Sequence, residues 1–307
     1  MKNNSLKLSI VIPTINRYSD LKNTLGCLYR QSFDDFEIII IDQTEKFEEI
    51  IGDKIRYYHT TSKSASKARN LGLKMASNDI VLFLDDDVVI DNKEFLSTHV
   101  LHYLDPKTSG VSGAILDTSE KFEYNLHKKA ETSTFGWFYF PSNYSKASSV
   151  ANGGSGNLSV RREWAINVGG MDERFERGAF REETDFCLRY TKVHGHLIYD
   201  PTAYLIHLGN PNGGCRSWES YKGIIHGGHH MFGGWYLMFR RLNLQFWPTY
   251  SYYMLRRFII HKKLTIRPYL IPIAIFVFTY AFFRALYFSI KEPLLITRNS
   301  HSKNGLY

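Results

Sequence analysis

Cysteine is scarce in this sequence, with three in 307 residues, at positions 27, 187 and 215. Thiols so few and so widely spaced exclude a disulfide scaffold and a four-cysteine zinc site, and they fit a reducing compartment. Proline is sparse at nine, and the 22 glycines follow no period. That excludes collagen-like and low-complexity chains. There are no internal repeats. Leu8 to Ile12 is too short for the core of a secretory leader and stops at Pro13. The expectation is therefore a body that stays in the cytoplasm. No Gly-x-Gly-x-x-Gly follows that first apolar run, so a dinucleotide-binding or nucleotidyltransferase reading lacks its fingerprint.

Acid is what the end of the chain lacks. Residues 240–307 hold 11 of the 38 Lys/Arg and one of the 30 acids, Glu292, a net of +10. The preceding residues carry −2, so the overall +8 belongs to a basic tail on a near-neutral body. Such asymmetry points to a polyanion, either nucleic acid or anionic lipid. Hydrophobic residues at 44% and charged residues at 22% mark the rest as an ordinary folded chain.

What is present alternates. Leu8–Pro13, Phe36–Ile41, Ile55–His59 and Ile80–Leu84 read as short buried strands, rich in β-branched residues. Between them Asn16–Gln31 and Ser64–Ala76 carry helical spacing, and Phe95–Leu104 follows as a further helix. Alternation of this kind predicts a parallel α/β sheet with its ligand at the carboxyl ends of the strands. Residues 117–150, Ser-rich with aromatics at 135–140, read as an insertion or mobile loop. A glycine-rich loop, Ala151–Gly156, feeds a strand at Asn157–Arg161. A short helix at Arg162–Val168 and a stronger one at Glu182–His194 come next, and His196–Leu208 is extended. The body is thus 1–215 and a helical tail 216–307.

Three adjacent carboxylates, Asp85, Asp86 and Asp87, follow the fourth strand directly. In extended chain Asp85 and Asp87 face the same way and can share a divalent ion. A solvated acidic turn is the plainer alternative. Arg181-Glu182-Glu183-Thr184-Asp185 opens a helix, where the dipole alone favours acids, and where one carboxylate could also face a cleft as a base. Lys67-Ala68-Arg69-Asn70 reads equally as a surface pair. His207, after an apolar run, reads first as an edge histidine. His226-Gly227-Gly228-His229-His230 lacks acidic or cysteine partners and reads as a polar loop rather than a metal site.

Taken in order, LSIVIPTINR (8–17), IIIIDQT (38–44), SKARNLG (66–72), FLDDDV (83–88), GGSGNLSVRR (153–162) and REETDFCLR (181–189) resemble glycosyltransferase family 2, over about two thirds of the chain. The likeness is to bacterial enzymes of surface-polysaccharide synthesis. It implies the GT-A fold, a Rossmann-like mixed sheet flanked by helices, here with a basic, aromatic helical extension. It implies a metal-dependent, inverting transfer of a hexosyl-type sugar from a nucleotide-sugar donor to a hydroxyl of a glycan or lipid-linked acceptor. Carried over residue by residue, Thr14, Arg17 and Asp42 lie on the nucleotide, and Arg69 near the diphosphate. Asp85 and Asp87 match the metal and donor motif, with Asp86 between them, and His207 completes the metal site for Mn²⁺ or Mg²⁺. Gly153 and Gly154 lie beside the donor sugar. Glu183 is the base, with Glu182 on the substrate side and Asp185 as a neighbouring carboxylate. Two positions depart from the family pattern: Gln43 follows Asp42 where Asp or Asn is common, and the base is Glu rather than Asp.

The tail carries Tyr269–Phe283 without a charge. As a helix it would measure about 22 Å, short of the roughly 30 Å hydrocarbon core. Aromatics mixed with Arg pairs at 235–241 and 252–260 fit interfacial helices. The expectation is peripheral or re-entrant contact with an anionic membrane at its inner face, and no nucleic acid. A packed subdomain or a homo-oligomer interface is the alternative.

Overall fold

A computed structural model of the chain describes residues 6–118, 121–122, 142–178, 180–209, 228–260, 264 and 266–296. The expected strands form at nearly the expected bounds. β1 is Leu8–Thr14, β2 Phe36–Asp42, β3 Ile55–His59 and β4 Ile80–Leu84. They lie side by side in the order β3, β2, β1, β4, all parallel, with Leu8 opposite both Phe36 and Ile80. These strands read as unbroken apolar runs because both faces are covered. Leu8, Ile10, Ile12, Ile38 and Ile40 pack under α1 (Tyr18–Leu28) and α3 (Phe95–Leu101). Val11, Ile39, Ile41, Val81 and Phe83 pack under α2 (Ala65–Met75), α4 (Arg162–Asn167) and α5 (Glu182–His194). Gly72 lets α2 approach closely, since a Cβ there would meet Val11 Cγ1 at 2.2 Å.

Beyond β4 the parallel expectation fails. β8 (Asn157–Arg161) runs antiparallel to β4 and to β6 (Gly110–Asp117). β6 is parallel to β9 (Leu197–His207), which is antiparallel to β5 (Val88–Val89) and β7 (Ser148–Val150). The reason is the connection. β8 enters from the glycine-rich turn with Asn157 opposite Leu84, and among the described residues no crossover helix stands between β6 and β8 to return the chain for a parallel entry. β7 corrects the end of the 117–150 loop, which joins the sheet. The aromatic cluster 135–140 lies outside the described residues.

The tail forms α6 (Gly228–Arg241), α7 (Trp247–Phe258) and α8 (Ile271–Ser289). His229 and His230 therefore stand on a helix rather than in a polar loop, while His226 lies outside the described residues. α6 packs on α8 around Trp235, Ala281 and Ala285. The chain then returns to the body. Ile296 N–H donates to the Gly169 carbonyl (2.8 Å), Glu173 N–H donates to the Leu294 carbonyl (2.9 Å), and Ile296 is buried in the core beneath α5. Cys27 and Cys187 are buried and unbridged.

Candidate active site

Strand order reverses its direction of growth between β1 and β4, which opens a crevice at their carboxyl ends. Asp85, Asp86 and Asp87 stand at that edge. Alternation divides them. Asp86 turns to the β1 side, where it accepts from Thr14 Oγ1 (2.7 Å) and meets Arg17 Nη1 (3.3 Å). Burial pushes its carboxyl up to about 7, against the pull of Thr14 and Arg17. Asp87 is buried, meets Arg17 Nη1 at 2.9 Å and lies 3.2 Å from His207 Nε2. The register that sets Val88 opposite His207 brings this pair together across 120 residues of chain. On the far side of the ring His207 Nδ1 lies 3.6 Å from Asp117.

Asp85, Asp87 and His207 each offer one ligand atom, all within 4.8 Å of one another. Two carboxylate oxygens and an imidazole nitrogen suit a divalent cation of the Mn²⁺ or Mg²⁺ kind. Gly156 makes room for this set, because a Cβ there would sit 2.4 Å from Asp85 Oδ2.

Arg69 joins the acid edge to α5. Its Nη2 donates to Asp85 (3.0 Å) and its Nη1 to Glu182 (2.5 Å), whose other oxygen accepts from Ser66 Oγ (3.0 Å). Burial works against the charge on Arg69, but Glu182 and Asp85 hold it protonated. Burial also pushes the Glu182 carboxyl above the usual range, with Arg69 opposing. Glu183, next on α5, is half-buried, and no side-chain hydrogen bond reaches its carboxylate among the described residues. Burial raises its pKa, against the pull of Arg181 and Arg69. A carboxylate with a raised pKa in the field of Arg69 and Asp85 has the chemistry of a general base. Asp185 differs. Fully buried, it is gripped by Arg189 Nε (2.9 Å) and Arg241 Nε (2.5 Å), which hold its carboxyl below the usual range despite burial.

The family model described as glycosyl transferase family 2 matches residues 9–169, which carry the first four strands, the acid edge and β8. The chain belongs to that family. A pre-mycofactocin glycosyltransferase of Mycobacterium tuberculosis is 26% identical over 227 residues, covering 72% of this chain and 46% of that protein. The chain spans under half the length of the first curated relatives it matches. Among solved structures, a mannosyltransferase from Pyrobaculum calidifontis in complex with GDP-Man and Mn²⁺ superimposes with a TM-score of 0.53 at 14% identity, over 91% of this chain and 76% of that one. GalNAc-T7 with UDP, GalNAc and Mn²⁺ gives 0.56 at 13% identity, over 83% and 57%. The fold of this family 2 chain is GT-A.

Within this family 2 chain, Thr14 and Arg17 end up on Asp86 and Asp87. Asp42 is buried with both oxygens engaged: Oδ2 accepts from Tyr18 and Tyr57 (2.5 Å each), and Oδ1 from Thr44 N–H (2.8 Å). Gly153 and Gly154 lie in the tight turn before β8, with Cys187 Sγ 3.6 Å from the Gly153 carbonyl and Asn157 N–H donating to Gly154. Sequence reasoning missed Ser66, Tyr18, Tyr57 and Arg241. Ser66 stood three residues before Arg69 on the same helix face and was readable. The other three act through long-range packing and leave no local signal.

Proposed function

We propose that this chain transfers a sugar from a nucleotide-sugar donor to a hydroxyl of a glycan or lipid-linked acceptor, by a single inverting displacement, in surface-polysaccharide synthesis. The observation that carries the reading is the meeting of Asp85, Asp87 and His207 at one sheet edge, with Arg69 spanning from Asp85 to Glu182 beside Glu183. Asp85, Asp87 and His207 would hold Mn²⁺ or Mg²⁺, which when bound offsets the charge of a diphosphate leaving group. Arg69 adds a fixed positive charge beside it. Glu183 takes the proton from the acceptor hydroxyl, and Glu182 keeps Arg69 aimed. The base and ribose lie along the wall of Thr14, Tyr18, Asp42 and Tyr57. Gly153 and Gly154 form the floor under the sugar.

Residues 1–215 act as the catalytic body and 216–307 as a tail that holds the enzyme at the inner face of the membrane. Pro268–Ser289 is long and apolar enough to cross a bilayer by length and composition. One face of that helix, at Ala274, Ala281 and Ala285, is buried, which favours peripheral or re-entrant contact over free spanning. Nucleic acid is not the expected partner, because bare aromatics outnumber polar groups there.

The test is release of nucleoside diphosphate across a panel of sugar nucleotides, with Mn²⁺ or Mg²⁺ and native membranes as acceptor. One donor should be consumed, and consumption should stop on chelation. Activity with no donor, or with every donor regardless of metal, would overturn the reading.

A further inference from the structure

Away from the acid edge, a cavity of about 320 Å³ opens between α6, α8 and the loop before α5. Phe232, Phe276 and Tyr280 give it an apolar wall, Arg177 and Arg284 bring two positive charges, and Glu176 brings one negative charge. Arg284 meets Glu176 at 2.6 Å and lies over the Phe232 ring at 4.6 Å. Arg177 is exposed, and no acid pairs with it among the described residues. Its backbone sits in the left-handed region, with φ of 57°, an uncommon state for a side chain of this size.

The cavity is continuous with an apolar stripe. Phe276, Tyr280, Phe283, Tyr287 and Ile290 are spaced four, three, four and three along α8 and just past its end, and each is more than half exposed. Such spacing aligns them on one side of the helix, over roughly 21 Å. A cationic pocket at the head of an apolar track of that length matches an acidic headgroup with a hydrocarbon chain. A second copy of this chain would instead bring the same excess of positive charge against itself.

The loop that carries Arg177 is also tied to α2. Ala65 N–H donates to the Arg177 carbonyl (2.7 Å), fixing this loop to the start of α2, which carries Ser66 and Arg69. Glu183 follows six residues after Arg177, so at full extension no more than about 20 Å of chain separates them.

We infer that this cavity seats the phosphate of an acidic lipid, with Arg177 and Arg284 on the phosphate and the hydrocarbon along the Phe276–Ile290 stripe. The inference rests on the reading of the acceptor as lipid-linked. It names where that lipid is held while its hydroxyl reaches Glu183.

The full chain in neutral detergent is titrated with monododecyl phosphate, dodecanol and inorganic phosphate, followed by tryptophan fluorescence. Monododecyl phosphate should bind best, dodecanol weakly and inorganic phosphate not at all. Arg177→Gln should lower affinity for monododecyl phosphate about tenfold or more, as expected for a lost charge-assisted hydrogen bond, and Arg177→Lys should recover part of it. Phe276→Ser should weaken both chain-bearing probes together. Nucleotide-sugar binding, measured on the same samples, should not change in any of these variants. Equal affinity of wild type and Arg177→Gln would overturn the site. So would equal binding of inorganic phosphate, or a dimer that Phe276→Ser dissociates. If the probes behave as expected while no donor is turned over, the lipid site stands and the transferase reading falls.

Discussion

The strand ends of the body and the region around the tail hold their cations in different ways. At the strand ends each arginine is matched by carboxylates: Arg17 by Asp86 and Asp87, Arg69 by Asp85 and Glu182. In and around the tail, where Glu292 is the one acid past residue 240, Arg241 and Arg284 meet Asp185 and Glu176 of the body, and other cations lie on aromatic faces. Arg257 and Arg181 stand 4.4 and 4.6 Å from the Phe180 ring, Arg174 stands 5.0 Å from Phe288, and Lys291 stands 5.1 Å from Tyr287. An aromatic face steadies a cation without cancelling its charge. The strand ends thus carry balanced charges, whereas the tail keeps an excess of positive charge.

Breaking the balanced side should have the largest effects. Glu183→Gln should lower turnover at least about 10²-fold while donor affinity stays within twofold, because the amide keeps the shape and cannot take the proton. Steady-state rates with a donor-binding titration test this. A fall seen with Glu182→Gln alone would move the base by one residue. Next in size, Asp85→Asn should weaken metal-dependent donor binding by about 10- to 100-fold and leave binding in chelator unchanged. Calorimetry in the two conditions decides it, and identical curves for both proteins would remove Asp85 from the metal set.

The joint between the halves comes third. Arg241→Met takes one of two cations from the buried Asp185 carboxylate and should cost about 1–3 kcal/mol. Arg257→Met loses contacts with aromatic rings and should cost under about 1 kcal/mol. Thermal melts of both variants compare the two ways of holding a cation. An unchanged Tm for Arg241→Met would mean that the tail and α5 are not coupled.

The last effect is one of pH. His99 is fully buried, with Ser159 on Nδ1 and Asn157 on Nε2 (2.9 Å each). Burial pulls its pKa down to about 4, helped by His102 and opposed by Asn157 and Asp200. The unfolded chain, with an ordinary histidine near 6.5, binds the proton first. Stability is therefore full above about pH 6.5 and lost as pH falls toward 4, reaching about 2 kcal/mol at pH 5. Asp200, held to about 2 by His102 and Thr202 despite burial, gives way below that window. Melting of His99→Gln between pH 7 and 5 should show a flatter slope than the parent, whereas rings under arginines contribute none. Parallel slopes would assign the acid sensitivity elsewhere.

Much of the body was legible because its signals are local. β3, β4, β8 and α5 fall at the expected residues, since unbroken β-branched runs and helical spacing are set within a few turns of chain. The acid edge was legible because Asp85–Asp87 abut β4 directly. β6 and β7 were not, because Gly110–Asp117 and Ser148–Val150 carry glycine and serine in place of an unbroken β-branched run, and β9 sets their pairing. The roles of Asp86 and Asp42 were not legible either. Which way a carboxylate turns depends on Thr14, Arg17, Tyr18 and Tyr57, which only the folded sheet brings near. For His207 the residue was readable and the geometry was not, because its place comes from the β5–β9 register.

The return of residues 291–296 to the body bears on the order in which the protein can be completed. Ile296 fills core space beside Gly169 and Gly170, and Leu294 N–H donates to Asp172, whose other oxygen accepts from Tyr236. During synthesis the sheet up to β8 leaves the ribosome well before Ile296 exists. At about 5–20 residues per second the delay from Gly170 to Ile296 is roughly 6–25 s. For that interval the body carries an open seam under α5, and toward its end α8, strongly apolar, is made before Ile296 follows it. A membrane close to the ribosome would give that helix somewhere to rest until the seam is closed.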